Sequence, residues 1–106
     1  SHSSAMQRQI VDAIVEELKS VKGLTVSVAK DHAGREIYRA KLEVDETVCG
    51  MNALMLDQQL RNGSPIIYTR NHNANLGILL LDPRPMQLSD TAIVCQRIKE
   101  ILAVGL

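Results

Sequence analysis

Apolar residues recur with helical spacing in three stretches of the chain. Residues 7–22, 52–62 and 90–104 each place apolar side chains on one stripe and polar side chains opposite it. A stripe with a period of 3.6 residues predicts an amphipathic helix. Asn52 precedes the second stretch, and its side chain can accept hydrogen bonds from free backbone N–H groups, so we expect it to be the N-cap of that helix.

Strand patterns fill the intervals between these helices. Residues 24–30 and 37–44 flank turn-forming residues 31–34, which predicts a hairpin. Residues 66–70 and 76–82 predict a second strand pair. The second member of that pair is a nearly unbroken apolar run, which is typical of a strand covered on both faces, so we expect it to be central.

The predicted element order is α-β-β-α-β-β-α, which indicates an α+β fold. Two antiparallel strand pairs with helices on one face make a two-layer sandwich. A length of 106 residues is enough for one domain. We assign residues 7–106 to this domain and interpret residues 1–6 as the remnant of an expression tag.

Composition and charge exclude several classes of partner. The 12 basic residues equal the 12 acidic ones, so the chain lacks the basic face expected of a nucleic-acid-binding protein. No apolar run approaches the ~20 residues of a membrane span. Cys49 and Cys95 have neither disulfide-framework nor zinc-site spacing, so we expect reduced, buried thiols and a cytoplasmic protein.

The candidate chemistry lies between residues 66 and 85. Arg70 ends one predicted strand, His72 follows in a polar loop, and Arg84 comes just after the next strand. A guanidinium can make a two-point contact with a carboxylate or a phosphate, which favours an anion as the ligand. Two alternatives remain open: Arg70 pairs with a carboxylate of its own domain, and Arg84 braces a turn formed by Asp82.

Two segments resemble a known enzyme family. Residues 63–70 (GSPIIYTR) and 77–85 (GILLLDPRP) are similar to the C-terminal part of the selenocysteine-synthase-like enzymes, which use pyridoxal phosphate (PLP) and have the aminotransferase type I fold. The branch most similar in appearance includes D-glucosaminate-6-phosphate ammonia-lyase. The resemblance implies the small C-terminal domain of that fold, which closes over the substrate.

The resemblance also implies which residues bind substrate. Arg70 matches the family's strand arginine, which contacts the carboxylate of a small-molecule substrate. Arg84 matches a second family arginine, and His72 and Asn75 line the same loop as weaker candidates. The resemblance assigns no catalytic residue to this chain and implies no metal.

The resemblance further implies a larger parent enzyme. PLP would be bound by a large domain of the same polypeptide, and the parent would be a lyase or a transferase and a homo-oligomer. None of the five lysines lies in a recognisable cofactor motif, so the fragment alone is expected neither to bind PLP nor to act as an enzyme.

Two other functions remain possible from the sequence. The first is a free-standing domain that binds a small molecule, because fold alone does not determine function. The second is a protein-interaction domain in which Met51, Leu54 and Met55 form the contact patch.

Overall fold

The computed structural model describes residues 3–31 and 36–105. Residues 32–34 of the predicted hairpin turn lie outside this part of the chain. The elements, in chain order, are α1 (Ser4–Leu18), β1 (Leu24–Lys30), β2 (Tyr38–Val44), α2 (Glu46–Cys49), α3 (Ala53–Arg61), a 3-10 turn (Ala74–Leu76), β3 (Ile78–Leu81), a second 3-10 turn (Leu88–Asp90) and α4 (Thr91–Gly105).

The sheet has three antiparallel strands in the order β1-β2-β3. In the first pairing Leu24 faces Val44, and in the second Ala40 faces Leu81. Because side chains alternate between the faces of a strand, this register puts the apolar positions of the strands on one face. The α+β fold class with an antiparallel sheet is therefore confirmed.

Helices α1 and α4 pack together, and α1 lies against β1 and β2. The core between the layers is aliphatic: Ile10 and Ile14 of α1 and Leu42 of β2 are completely buried. Leu79 of β3 and Ile98 of α4 complete the same cluster. The opposite face of the sheet carries the polar residues of β2, and this face holds the charged cluster described below.

The segment predicted as a strand at residues 66–70 is not a strand. Only Arg70 pairs with β3, through backbone hydrogen bonds with Leu80 in both directions at 2.8 and 3.1 Å. The reason is local: the Ile67 N–H donates instead to the Leu60 carbonyl at the end of α3, at 3.0 Å. Pro65 has no N–H to donate to a neighbouring strand.

The prediction that residues 76–82 form the central strand is also wrong. The strand begins only at Ile78, because Ala74–Leu76 form a 3-10 turn and Gly77 has a left-handed backbone with φ of 82°. The central strand is β2, and β3 lies next to it with the Arg70 bridge on its other side. Within the run Leu79 and Leu81 are buried and Ile78 and Leu80 only half-buried, so one face of the strand is fully covered.

The helices follow the prediction more closely. Helix α3 has Asn52 as its N-cap, with the Asn52 carboxamide oxygen accepting from the Met55 N–H at 2.8 Å. Helix α1 ends at Leu18, four residues before the predicted end, and it begins at Ser4 within the stretch interpreted as a tag remnant. The short helix α2 was not predicted.

Candidate functional site

Asp82 is the centre of a charged cluster that begins where β3 ends. The Arg84 N–H donates to Asp82 Oδ1 at 2.9 Å, and Arg84 Nη2 donates to Oδ2 at 2.6 Å. Arg84 Nε lies 3.0 Å from Oδ1, so the contact is a two-point contact. The intervening Pro83 is fully buried. The alternative in which Arg84 braces the Asp82 turn therefore describes the observed contact.

Two further arginines reach the same carboxylate. Arg39 Nε lies 3.6 Å from Asp82 Oδ2, and Arg70 Nη1 lies 3.8 Å from it. The register of β2 and β3 carries Arg39 to Asp82. The backbone bridge to Leu80 brings Arg70 alongside the end of β3. The structure thus unites Arg70 and Arg84, which the sequence placed at different ends of two predicted strands.

This environment keeps Asp82 ionised. Burial of its carboxyl would raise the pKa, but hydrogen bonds from the side chain and backbone of Arg84, together with the charges of Arg84 and Arg39, lower it below its usual value. Asp82 therefore stays negative at neutral pH and holds the arginines near each other.

The cluster has an excess of positive charge among the residues that the structure describes. Asp31 Oδ2 lies 3.8 Å from Arg39 Nη1 and adds a second carboxylate. Three guanidiniums then face two carboxylates, which leaves one positive charge uncompensated. A monoanionic group is the ligand that would balance this charge.

Arg70 is the arginine best placed to receive that ligand. Its side chain is 48% exposed, whereas those of Arg84 and Arg39 are 32% and 13% exposed. A separation of 3.8 Å from Asp82 is beyond hydrogen-bond distance. The Arg70 guanidinium is therefore held near the cluster by charge, and no acceptor in the described part of the chain uses its donors.

A buried carboxylate outside this cluster, that of Asp57, lies behind Arg70. Asp57 of α3 is completely buried, and its oxygens accept from Thr69 Oγ1 at 2.7 Å and from Asn71 Nδ2 at 2.8 Å. Arg61, one helical turn further along α3, also donates to it. Burial would raise the pKa of Asp57, but these hydrogen bonds and the Arg61 charge lower it, so it remains ionised.

The two weaker candidates lie apart from the cluster. His72 is exposed in the turn after Arg70, and no hydrogen bond or ion pair joins its side chain to Asp82 in residues 3–31 and 36–105. Asn75 is exposed and lines a separate cavity of about 570 Å³, beside Asn71 and Ala74. The structure therefore groups Arg70 with Arg84 but does not bring His72 or Asn75 to them.

An apolar groove of about 400 Å³ adjoins Asp82. Ile66 and Tyr68 line it and are 59% and 72% exposed, and Ile93 of α4, which lines it too, is 50% exposed. Ile66, Tyr68 and Arg70 alternate with residues that contact the interior, such as Ile67 and Thr69. The outward side of segment 66–70 is therefore apolar at one end and cationic at the other.

The described residues offer few side chains that could bind a cofactor. Each of the five lysines is at least partly exposed: Lys19, Lys22, Lys30, Lys41 and Lys99. The described residues include no cluster of His, Cys, Asp or Glu side chains that could hold a metal ion. None of the described helices is long and apolar enough to cross a membrane.

Sequence reasoning missed two residues of this arrangement. Arg39 occupies a polar position in the alternation of β2, and only the strand register reveals that it meets Asp82. Asp57 lies between Leu56 and Leu60 on the apolar stripe of α3. A charged residue on a buried stripe is a detectable signal, because a buried charge requires partners.

Comparison with known proteins identifies two curated relatives. D-glucosaminate-6-phosphate ammonia lyase of Salmonella typhimurium is 33% identical over 88 residues, which is 83% of this chain and 24% of the lyase. A 5'-C-glycyluridine monooxygenase-decarboxylase of a Streptomyces species is 34% identical over 99 residues, 93% of this chain and 25% of that enzyme. No family model matches the chain.

A solved structure of D-glucosaminate-6-phosphate ammonia-lyase matches the fold. The TM-score is 0.79 at 30% sequence identity, and the match covers 98% of this chain and 27% of the lyase chain. The chain thus spans about a quarter of the length of the proteins it matches. These matches confirm the resemblance to the ammonia-lyase branch, and a small C-terminal domain fits the structural match. This chain is therefore a homologue, at the level of one domain, of D-glucosaminate-6-phosphate ammonia lyase and its relatives.

Proposed function

We propose that this chain is the substrate-closing small domain of a larger PLP-dependent lyase or transferase, and that Arg70 binds the acid group of the substrate. The observation that carries the proposal is the half-exposed Arg70 guanidinium in a cluster where, among residues 3–31 and 36–105, guanidiniums outnumber carboxylates by one. A carboxylate supplied by the substrate would complete the charge balance and accept two N–H donors.

The names of the relatives support an amino sugar acid or a related amino acid as the substrate class. One relative is named for D-glucosaminate 6-phosphate, and the other for 5'-C-glycyluridine. Both names describe an amino acid group attached to a sugar-derived skeleton. The reactions in the two names differ, so the shared domain is expected to bind the common acid group rather than to determine the reaction.

The cofactor is proposed to be bound by the rest of the parent polypeptide. When bound, PLP supplies an electron sink that permits loss of a substituent next to the amino-bearing carbon. A PLP enzyme holds the cofactor through an enclosed lysine, and the lysines of this chain, each at least partly exposed, do not fit that role. The chain's own part is therefore to orient the substrate and to exclude water, and the fragment alone is proposed to be inactive.

The apolar groove beside Asp82 supports a large domain of the same polypeptide as the partner. The relatives have about three times more sequence outside the matched region than within it. Ile66, Tyr68 and Ile93 leave apolar surface exposed next to Arg70. Closing this surface against the large domain would bury it and would bring Arg70 to the substrate. The parent is further proposed to be a homo-oligomer in the cytoplasm, where the free thiols of Cys49 and Cys95 would stay reduced.

Kinetics of the parent enzyme would test the role of Arg70. The chain would be expressed together with its upstream reading frame and PLP, and ammonia release from D-glucosaminate 6-phosphate would be measured. Arg70→Gln removes the guanidinium and should raise KM by about tenfold to a hundredfold, since a hydrogen bond to a charged group contributes ~1.5–3 kcal/mol.

Arg8→Gln is the matched control, because Arg8 is an exposed arginine of α1 that pairs with Asp12. This variant should keep the KM of the wild type. An unchanged KM in Arg70→Gln, measured with a substrate that the wild type turns over, would refute the assigned role. A parent that binds no PLP would refute the proposed enzyme class.

A further inference from the structure

Among the described residues, the buried Asp57 carboxylate accepts hydrogen bonds from residues next to Arg70 and from its own helix. Its two oxygens accept three hydrogen bonds, from Thr69, Asn71 and Arg61. Its side chain has no exposed surface, while Arg61 is 43% exposed and lies at the protein surface. A fully buried carboxylate is retained only where several donors compensate for the loss of hydration.

Two of these donors flank Arg70 directly. The Thr69 hydroxyl and the Asn71 carboxamide bind the same carboxylate from either side of residue 70. The backbone N–H and carbonyl of Arg70 are both bonded to Leu80. The segment 69–71 is therefore fastened to α3 by side chains and to β3 by the backbone, and the Arg70 side chain is left to project toward Asp82.

Among the described residues, no hydrogen bond fixes the Arg70 side chain in this way. Its contact with Asp82 is 3.8 Å long and is not a hydrogen bond. The direction of the guanidinium must therefore come from the backbone that carries it. The two charge-assisted hydrogen bonds from Thr69 and Asn71 to Asp57 supply that constraint more strongly than a distant charge does.

We infer that Asp57 is a positioning residue that fixes segment 69–71 and thereby aims the Arg70 guanidinium at the substrate acid group. This inference rests on the proposed function of Arg70. It adds Asp57 and Thr69 to the residues on which substrate affinity depends, although neither would touch the substrate. A displaced guanidinium loses affinity steeply, because binding depends on the geometry of a two-point contact.

The test uses Thr69→Val, which removes one donor to Asp57 and keeps the shape of the side chain. In the parent enzyme, Thr69→Val should raise KM on the order of tenfold and change kcat little. Thr69→Ser keeps the hydroxyl and should restore a KM near that of the wild type. In the isolated chain, Thr69→Val should also speed amide hydrogen exchange at Arg70 and Leu80 and leave the Leu42 amide of β2 unchanged.

A double-mutant cycle separates positioning from general stabilisation. If Asp57 acts through Arg70, Thr69→Val should have no further effect on KM in an Arg70→Gln background. An equal effect in both backgrounds, or exchange that rises throughout the sheet, would overturn the inference. If Arg70→Gln raises KM and Thr69→Val does not, Asp57 has no positioning role. If Arg70→Gln itself leaves KM unchanged, the proposed function fails instead.

Discussion

Two carboxylates act on opposite sides of the Arg70 segment. Asp57 binds the side chains on the inner side, and Asp82 attracts guanidiniums on the outer side. Hydrogen bonds and neighbouring positive charges lower the pKa of both below the usual range, even though burial opposes this. Both are therefore acceptors that remain charged at neutral pH, and folding of this segment is linked to their ionisation.

This linkage predicts a loss of stability in acid. A depressed folded-state pKa contributes stability above the unfolded pKa of about 3.9, and the contribution is lost as the pH falls through the folded value. The free energy of unfolding, measured by urea titration, should therefore decrease below about pH 4. Asp57→Asn should lower this free energy by about 2–4 kcal/mol at neutral pH and flatten its decrease in acid.

A steep decrease that Asp57→Asn leaves unchanged would show that other carboxylates are responsible. The same experiment on Asp82→Asn should flatten the acid decrease less, because Asp82 is 16% exposed and water can partly replace its partners.

The sequence offered Arg70 and Arg84 as candidates and Asp82 as a possible partner of Arg84, but it did not indicate Asp57 or Arg39. The type and spacing of Arg70 and Arg84 were visible in the segment, because guanidiniums near strand ends suggest an anion. Asp57 and Arg39 depend on which side chains the fold brings together across α3, β2 and β3. Contacts between elements distant in sequence follow from tertiary packing, which a local pattern does not contain.

Helix α3 carries Asp57 and so holds the Arg70 segment from its inner side. Its first turn is fixed by Asn52, whose carboxamide oxygen accepts from the Met55 N–H. Asn52→Ala should destabilise the chain by about 1 kcal/mol, since the first-turn N–H groups of the helix lose their acceptor. Asn52→Asp keeps an acceptor and should stay close to the wild type in thermal and urea unfolding. Equal destabilisation by both variants would exclude capping as the cause.

The sequence predicted helices and strands correctly where the apolar periodicity agreed with the capping and turn residues. It failed at residues 66–70. Side chains of this segment do alternate between outward and inward directions, as in a strand. The Ile67 N–H, however, donates to the Leu60 carbonyl at the end of α3, and Pro65 has no N–H to donate. A strand requires several consecutive residues with backbone hydrogen bonds to a neighbouring strand. In this segment only Arg70 pairs with β3 in this way. The departure from a regular strand leaves Ile66, Tyr68 and Arg70 on an open side of the sheet edge.

Segment 66–70 contributes only Ile67 to the aliphatic core of the molecule. Large exposed apolar side chains remain outside that core, and Tyr68 is 72% exposed. Isolated exposed apolar residues are common, but several around one groove beside a charged cluster indicate a contact surface. The proposed partner is the remainder of the parent polypeptide.

Tyr68→Ser tests this proposal because it separates folding of the domain from its docking. In the isolated chain, the free energy of unfolding should change by no more than about 0.5 kcal/mol, since an exposed side chain contributes little. In the parent enzyme, the same variant should lower the urea midpoint of the small domain and raise KM, because less apolar surface is buried on closure. Val104→Ser, at the far end of α4 and 86% exposed, should leave both quantities unchanged. An effect of Tyr68→Ser that is equal in the chain and in the parent, or absent from the parent, would exclude this groove as the docking surface.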